Sequence, residues 1–257
     1  MAALIICLAA SLTSALTLFS GFGLGTLLLP AFAVFFPLDA AVAMTAVVHF
    51  LNNLFKLALL GRHADRGTVL RFGLPALPAS FVGALALVWF SGRAPLWHYT
   101  LAGRPCEVTA VKLVVAVLML GFAALEVVPR LRRLAFASRW LPVGGALSGF
   151  FGGLSGHQGA LRSAFLVRAN LEKTAYLATG IVLACLVDLT RLSVYAGHFA
   201  RVGLGVSPWL LVAATLAAFA GAFVASRFVS KITYGAVRVL VSSLLALIAL
   251  GLAAGLI

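Results

Sequence analysis

Acidic side chains are scarce in this sequence. Asp and Glu number 6 against 19 Lys and Arg, and the four types together make up only 10% of 257 residues. A soluble domain carries about 25% charged residues, so a chain this poor in charge cannot coat itself against water. Cysteine is also rare. Cys7, Cys106 and Cys185 are far apart and form no CxxC or Cys/His set, which leaves no basis for a disulfide framework or a metal centre. No phosphate-loop pattern with a following Lys-Ser/Thr is present, so ATP does not drive this protein through such a loop. Ser155 and His157 are close in sequence, but no acid beside them orients the histidine and no nucleophile motif surrounds them. The expectation is a protein that is not an enzyme and needs no cofactor.

What is present is apolar: 63% of the residues are hydrophobic, and the mean hydropathy is +1.14. The net charge of +13 would suggest nucleic acid in a soluble protein. Here the basic residues sit between apolar runs, as topology determinants do, and no basic stripe with interleaved aromatics exists. Apolar runs fall at 2–20, 26–36, 40–60, 72–91, 108–128, 140–153, 161–167, 174–195, 207–228 and 233–257. Most approach the about 20 residues that a helix needs to span a bilayer. The start lacks the basic region of a cleaved signal peptide and is read as a retained first segment. The interval Ser91 to Glu107 is read as a loop. The lipid bilayer is therefore the expected surroundings.

Two runs are broken. Residues 2–36 would make a helix of roughly 50 Å, too long for one span, and their middle reads Ser20-Gly-Phe-Gly-Leu-Gly25. Residues 140–168 are interrupted by Gly152-Gly-Leu-Ser-Gly-His-Gln-Gly159. With one constant shift Gly25 falls on Gly159 and Thr45 on Thr179. With small gaps Gly83 pairs with Gly221 and Lys112 with Arg238. The order, a broken segment followed by three spans, occurs twice. We therefore expect an all-α polytopic membrane protein of two inverted repeats, 1–130 and 140–257, joined by a basic cytoplasmic linker at 131–139. Each repeat is a Gly-broken re-entrant helix pair followed by three transmembrane helices. Glycine breaks at matching places in two halves point to a transporter's binding site.

The basic residues decide between a re-entrant and a crossing path. If each broken segment folds back, one side holds Arg62, Arg66, Arg71, Arg130, Arg132, Arg133, Arg139, Arg168, Lys173, Arg227, Lys231 and Arg238. The other holds only Arg93, Arg104, Lys112 and Arg201. If each crosses once, the charges divide evenly. Positive residues favour the cytoplasm, so the re-entrant path is expected, with both termini outside it.

Polar groups in a membrane are costly and face a cavity or a partner. His49, Asn52, Asn53 and Lys56 share one helical face; interhelical hydrogen bonding and a snorkelling lysine are the structural alternative. In the second half Asp188, Arg191 and Tyr195 share a face, and Asp188 and Arg191 are spaced to pair. The second break carries Ser155, Gly156, His157, Gln158, Gly159 and Arg162. A half-helix beginning near Gly159 turns its free N–H groups and positive end toward an anion. Arg162 adds a planar fork suited to carboxylate, sulfonate or phosphate oxygens, unless it pairs with Glu172 or Asp188. The first break offers backbone at Gly23 and Gly25 and no charge, and Pro30 is expected to bend or end its half-helix. These residues, from Gly23 to Arg191, form the candidate substrate site. Lys56 and Arg191 are expected nearer the cytoplasmic and outer faces respectively. Protonation of Asp188 is a route to proton coupling.

Gly21-Phe-Gly-Leu-Gly-Thr-Leu-Leu-Leu-Pro30 with Ala43-Met-Thr-Ala46, and Gly149-Phe-Phe-Gly-Gly-Leu-Ser-Gly156 with Gly159 and Ala178-Thr-Gly180, resemble the TauE/SafE sulfite-exporter family over nearly the whole chain. The resemblance implies a bacterial-type inner-membrane carrier of two repeats that moves small sulfur anions such as sulfite and organosulfonates. The chain departs from the family pattern at His157-Gln158 and Arg162-Ser163, where small or apolar residues and a proline are more usual. The resulting expectation is a secondary-active exporter of a small anion held at the midplane between the two broken helices. An anion channel and a membrane-embedded enzyme are the alternatives.

Overall fold

Inside a bilayer a backbone has no water to bond with, so apolar runs satisfy their N–H and C=O groups within helices. The computed structural model describes residues 2–20, 25–101, 103–203, 207–228 and 234–257 and follows that rule. Its helices are α1 (Ala2–Ser20), α2 (Gly25–Ala33), α3 (Leu38–Leu60), α4 (Arg66–Ser91), α5 (Ala110–Val127), the one-turn α6 (Pro129–Arg132), α7 (Leu141–Ser155), α8 (Gly159–Leu166), α9 (Lys173–Val202), α10 (Pro208–Phe228) and α11 (Tyr234–Ala253). Among the described residues three stretches, built on α3, α4 and α9, are long and apolar enough to cross a membrane, and shorter apolar helices accompany them. Large apolar side chains such as Leu74, Phe81 and Leu85 on α4, and Leu216 and Phe223 on α10, point outward. An outward apolar surface of this extent belongs in lipid. The chain is an all-α membrane protein apart from one small hairpin among the described residues.

That hairpin corrects the expectation of a plain loop at Ser91–Glu107. Strands β1 (Trp97–Leu101) and β2 (Arg104–Val108) pair antiparallel, with Tyr99 opposite Cys106. The hydroxyl of Tyr99 donates to the carbonyl of Ala254 beyond α11. A Cβ on Gly255 would stand 2.6 Å from the Glu107 carbonyl. An isolated hairpin is marginal, and docking on the end of α11 supplies the support that local sequence does not. Pro30 lies inside α2, which ends three residues later at Ala33.

Helices α4 and α7 lie along each other, as do α1 and α10, α3 and α9, and α5 and α11. The α4–α7 contact is made backbone to backbone. A Cβ on Gly145, Gly149 or Gly153 would come within 2.0, 2.3 and 2.1 Å of the carbonyls of Phe72, Ala76 and Ser80. On the facing helix a Cβ at Gly83 would meet the Phe150 carbonyl at 2.1 Å. Small residues one turn apart let membrane helices approach this closely. Gly221 plays the same part between α10 and α1, against the carbonyl of Ser11 at 2.0 Å.

Several polar bonds gather the segment ends. Ser138 donates to the Arg168 carbonyl and the Phe136 amide to that of Ala164, so the residues preceding α7 lie beside those ending α8. The amide of Asp65 donates to Thr179 on α9, which ties the α3–α4 turn to the first turns of α9. Asp65 also caps α4, accepting from the Thr68 amide at 2.7 Å, and hydrogen bonding from the Thr68 side chain and then its amide lowers the pKa of the carboxyl.

Candidate functional site

The break between α7 and α8 is short because one residue turns the chain. Gly156 takes φ +82° and ends α7, and α8 begins at Gly159. A left-handed residue here fits glycine, since a side chain pays about 1–2 kcal/mol for that conformation. It also fits the neighbour: a Cβ on Gly156 would stand 2.8 Å from the Arg191 guanidinium. Ser148 of α7 donates to the carbonyl of Gln158 and pins the turn from inside.

Around this turn the structure gathers polar side chains from α3, α8 and α9. His49, Asn52, Asn53 and Lys56 all lie on the buried face of α3. His157, Gln158, Arg162, Asp188 and Arg191 are buried as well. Asp188 is the hub. Its Oδ2 lies 2.6 Å from Nδ1 of His49, and it accepts from Asn53 at 3.4 Å. Its Oδ1 accepts from Nε of Arg191 at 3.0 Å and from Gln158 at 3.2 Å. Nη2 of Arg191 stands 2.7 Å from the same oxygen but is not aligned to donate a second bond. A buried carboxylate met by several donors, two of them charge-capable, is the arrangement that offsets its desolvation.

Arg191 also faces the carbonyl of Gly152 at 3.4 Å, and the hydroxyl of Tyr195 donates to that of Gly153. These bonds fasten α9 to the end of α7. Asn53 bridges the ring of His49, and Asn52 accepts from Ser14 of α1 at 3.1 Å. Ser155 lies 3.1 Å from His157, whose ring stacks on Phe122 at 5.3 Å. The residue spacing could not show that an acid reaches His49 and not His157.

Among the described residues Arg162 is ion-paired with no acid. Its Nη1 donates to Oε1 of Gln158 at 3.1 Å, and Gln158 passes its own amide to Asp188. Glu172 is exposed at the surface, so the alternative pairing with it is not made. Nε of Arg162 faces α9 at Gly180, where a Cβ would lie 3.6 Å away. Lys56, 6% exposed, has no hydrogen-bond or ion-pair partner among the described residues, and the charge that acts on it is that of Arg162. Lys56 and Arg162 are thus two buried cations, neither of them ion-paired with a carboxylate among the described residues, although the charge of Asp188 acts on Arg162. The sequence did not identify Ser14, Ser148, Phe122 or Gly180 as parts of this cluster. Each reaches it by tertiary packing, which leaves no local spacing to read.

Of the remaining candidates, Gly25 opens α2, and Gly23 lies outside the described residues. No group of three or more His, Cys, Asp or Glu that could hold a metal ion occurs among the described residues. No curated protein matches the chain. The family model described as Sulfite exporter TauE/SafE matches residues 5–252. A match over that span, on a helical membrane protein, fixes the family: the chain is a member of the TauE/SafE sulfite-exporter family.

Proposed function

We propose that this protein is a secondary-active exporter of a small anion of the sulfite or organosulfonate type, held at the midplane between its two broken helix pairs. The carrying observation is that two buried cations, Lys56 and Arg162, are in no ion pair among the described residues. A small anion that leaves water loses several kcal/mol of hydration even after relaxation. Arg162, Lys56 and the first-turn amides of α8 together offer a replacement. His49, Asn52, Asn53, Ser155, His157 and Gln158 would complete the polar lining, with Gly23 and Gly25 contributing backbone from the first break.

The proposed architecture is two inverted repeats, 1–130 and 140–257, each a re-entrant pair followed by three spans. The swapped packing supports it: α4 on α7 is matched by α1 on α10, the same two partners exchanged between halves. The Ser138–Arg168 and Phe136–Ala164 bonds support a second pair that returns to its starting face. The basic linker 131–139 would then be cytoplasmic and both termini outside, in an inner membrane. In that frame Lys56 lies nearer the cytoplasm and Arg191 nearer the outside, with Gln158 and Asp188 between them. Protons are the proposed coupling ion, taken up at Asp188 and His49, where Arg191, Asn53 and Gln158 complete the surroundings.

Counterflow of labelled sulfite in proteoliposomes tests the carrier reading. Sulfite on the far side of the membrane should accelerate uptake of label. Sulfite flux without trans-acceleration would make the protein a channel, and conversion of sulfite to another compound would make it an enzyme.

A further inference from the structure

We infer that the site takes its oxyanion in the doubly charged form. This rests on the anion site proposed above. Among the described residues the buried charged side chains are Lys56, Arg162, Arg191 and Asp188. Asp188 and Arg191 neutralise each other at 2.7 Å. Lys56 and Arg162 remain, two positive charges on α3 and α8, each more than nine-tenths buried. Among the described residues Arg162 donates to the neutral amide of Gln158, and Lys56 has no hydrogen-bond or ion-pair partner.

The cost of taking an ion out of water grows as the square of its charge, whereas its attraction to fixed charges grows in proportion. A site with one uncompensated cation therefore favours a monoanion. A dianion is favoured only where two cations face it, and neither cation here is in an ion pair among the described residues. The two also differ in kind. Arg162 offers a planar fork to two oxygens, and Lys56 a compact point charge to a third. A tetrahedral or pyramidal oxyanion presents three oxygens in that relation.

Sulfate and methanesulfonate isolate the charge, because both carry an SO3 face and differ in whether the fourth substituent is an oxygen with charge or a methyl group. Binding of each to the purified full-length protein, measured by calorimetry at fixed ionic strength, should favour sulfate by about tenfold or more. Lys56→Met should remove that preference while methanesulfonate still binds, and a thermal melt of the variant confirms that it is folded. Equal binding of the two ions, or tighter methanesulfonate binding, would overturn the charge inference and leave the anion site standing. Failure of the parent protein to bind either ion would overturn the site itself.

Discussion

Nδ1 of His49 and Oδ2 of Asp188 stand 2.6 Å apart, joining two helices across 139 positions of the chain. The same carboxylate holds Arg191 three residues further along its own helix. One acid thus ties a helix of the first half to one of the second, and it keeps a buried guanidinium neutralised beside the break. Removing the acid alone strands that cation.

Asp188→Asn should therefore destabilise the protein by about 3–5 kcal/mol, the usual cost of leaving one partner of a buried pair uncompensated. The double change Asp188→Leu with Arg191→Met should recover much of that stability, since neither charge of the pair remains. Thermal unfolding in detergent of the parent, single and double variants checks this. A double variant no more stable than Asp188→Asn would mean that the pair does not act as a unit.

The local half of this arrangement was legible in the sequence and the distant half was not. Asp188 and Arg191 are three residues apart on a helix, so their pairing follows from spacing. The shared face of His49, Asn52, Asn53 and Lys56 follows from the same geometry, and all four are buried. The contact between His49 and Asp188 depends on how α3 crosses α9, which no short-range pattern encodes. The hairpin at 97–108 escaped for a similar reason, because its support comes from Ala254 and Gly255 at the other end of the chain. The break between α7 and α8 was legible because glycines interrupt an apolar run of excessive length, whereas the first break, at 21–24, lies outside the described residues.

The α4–α7 contact makes a second prediction. Gly149→Val places side-chain atoms into the backbone of Ala76, where a Cβ alone would already lie 2.3 Å from its carbonyl. The loss should exceed about 3 kcal/mol, or prevent folding. Gly121→Ala on α5 meets nothing within 4 Å and should stay within about 0.5 kcal/mol of the parent. Expression level and detergent melting temperature report both. Equal tolerance of the two changes would contradict the close approach.

Gly156→Val should leave the protein folded and abolish transport. The branched side chain opposes φ +82° and displaces the Arg191 guanidinium, 2.8 Å from the new Cβ. Sulfite efflux from proteoliposomes is the readout, with gel filtration as the folding control. Undiminished efflux would show that the turn at Gly156 serves no site.

The proposed orientation predicts opposite results for two tags. A reporter active only in the cytoplasm should be silent when fused after Ile257 and active when inserted in the 131–139 linker. Activity at Ile257 would reverse the assignment of faces.

The central claim is that Arg162 holds the anion, and the direct measurement is sulfite binding by Arg162→Gln. The glutamine removes the charge of a side chain that donates to Gln158 and is ion-paired with no acid among the described residues. Binding measured by calorimetry on the folded variant should weaken by roughly 10- to 100-fold, the worth of hydrogen bonds to a charged group. Arg162→Lys should fall between it and the parent because the charge stays and the fork is lost. If Arg162→Gln folds and binds sulfite as the parent does, Arg162 is a structural residue and the anion is held elsewhere.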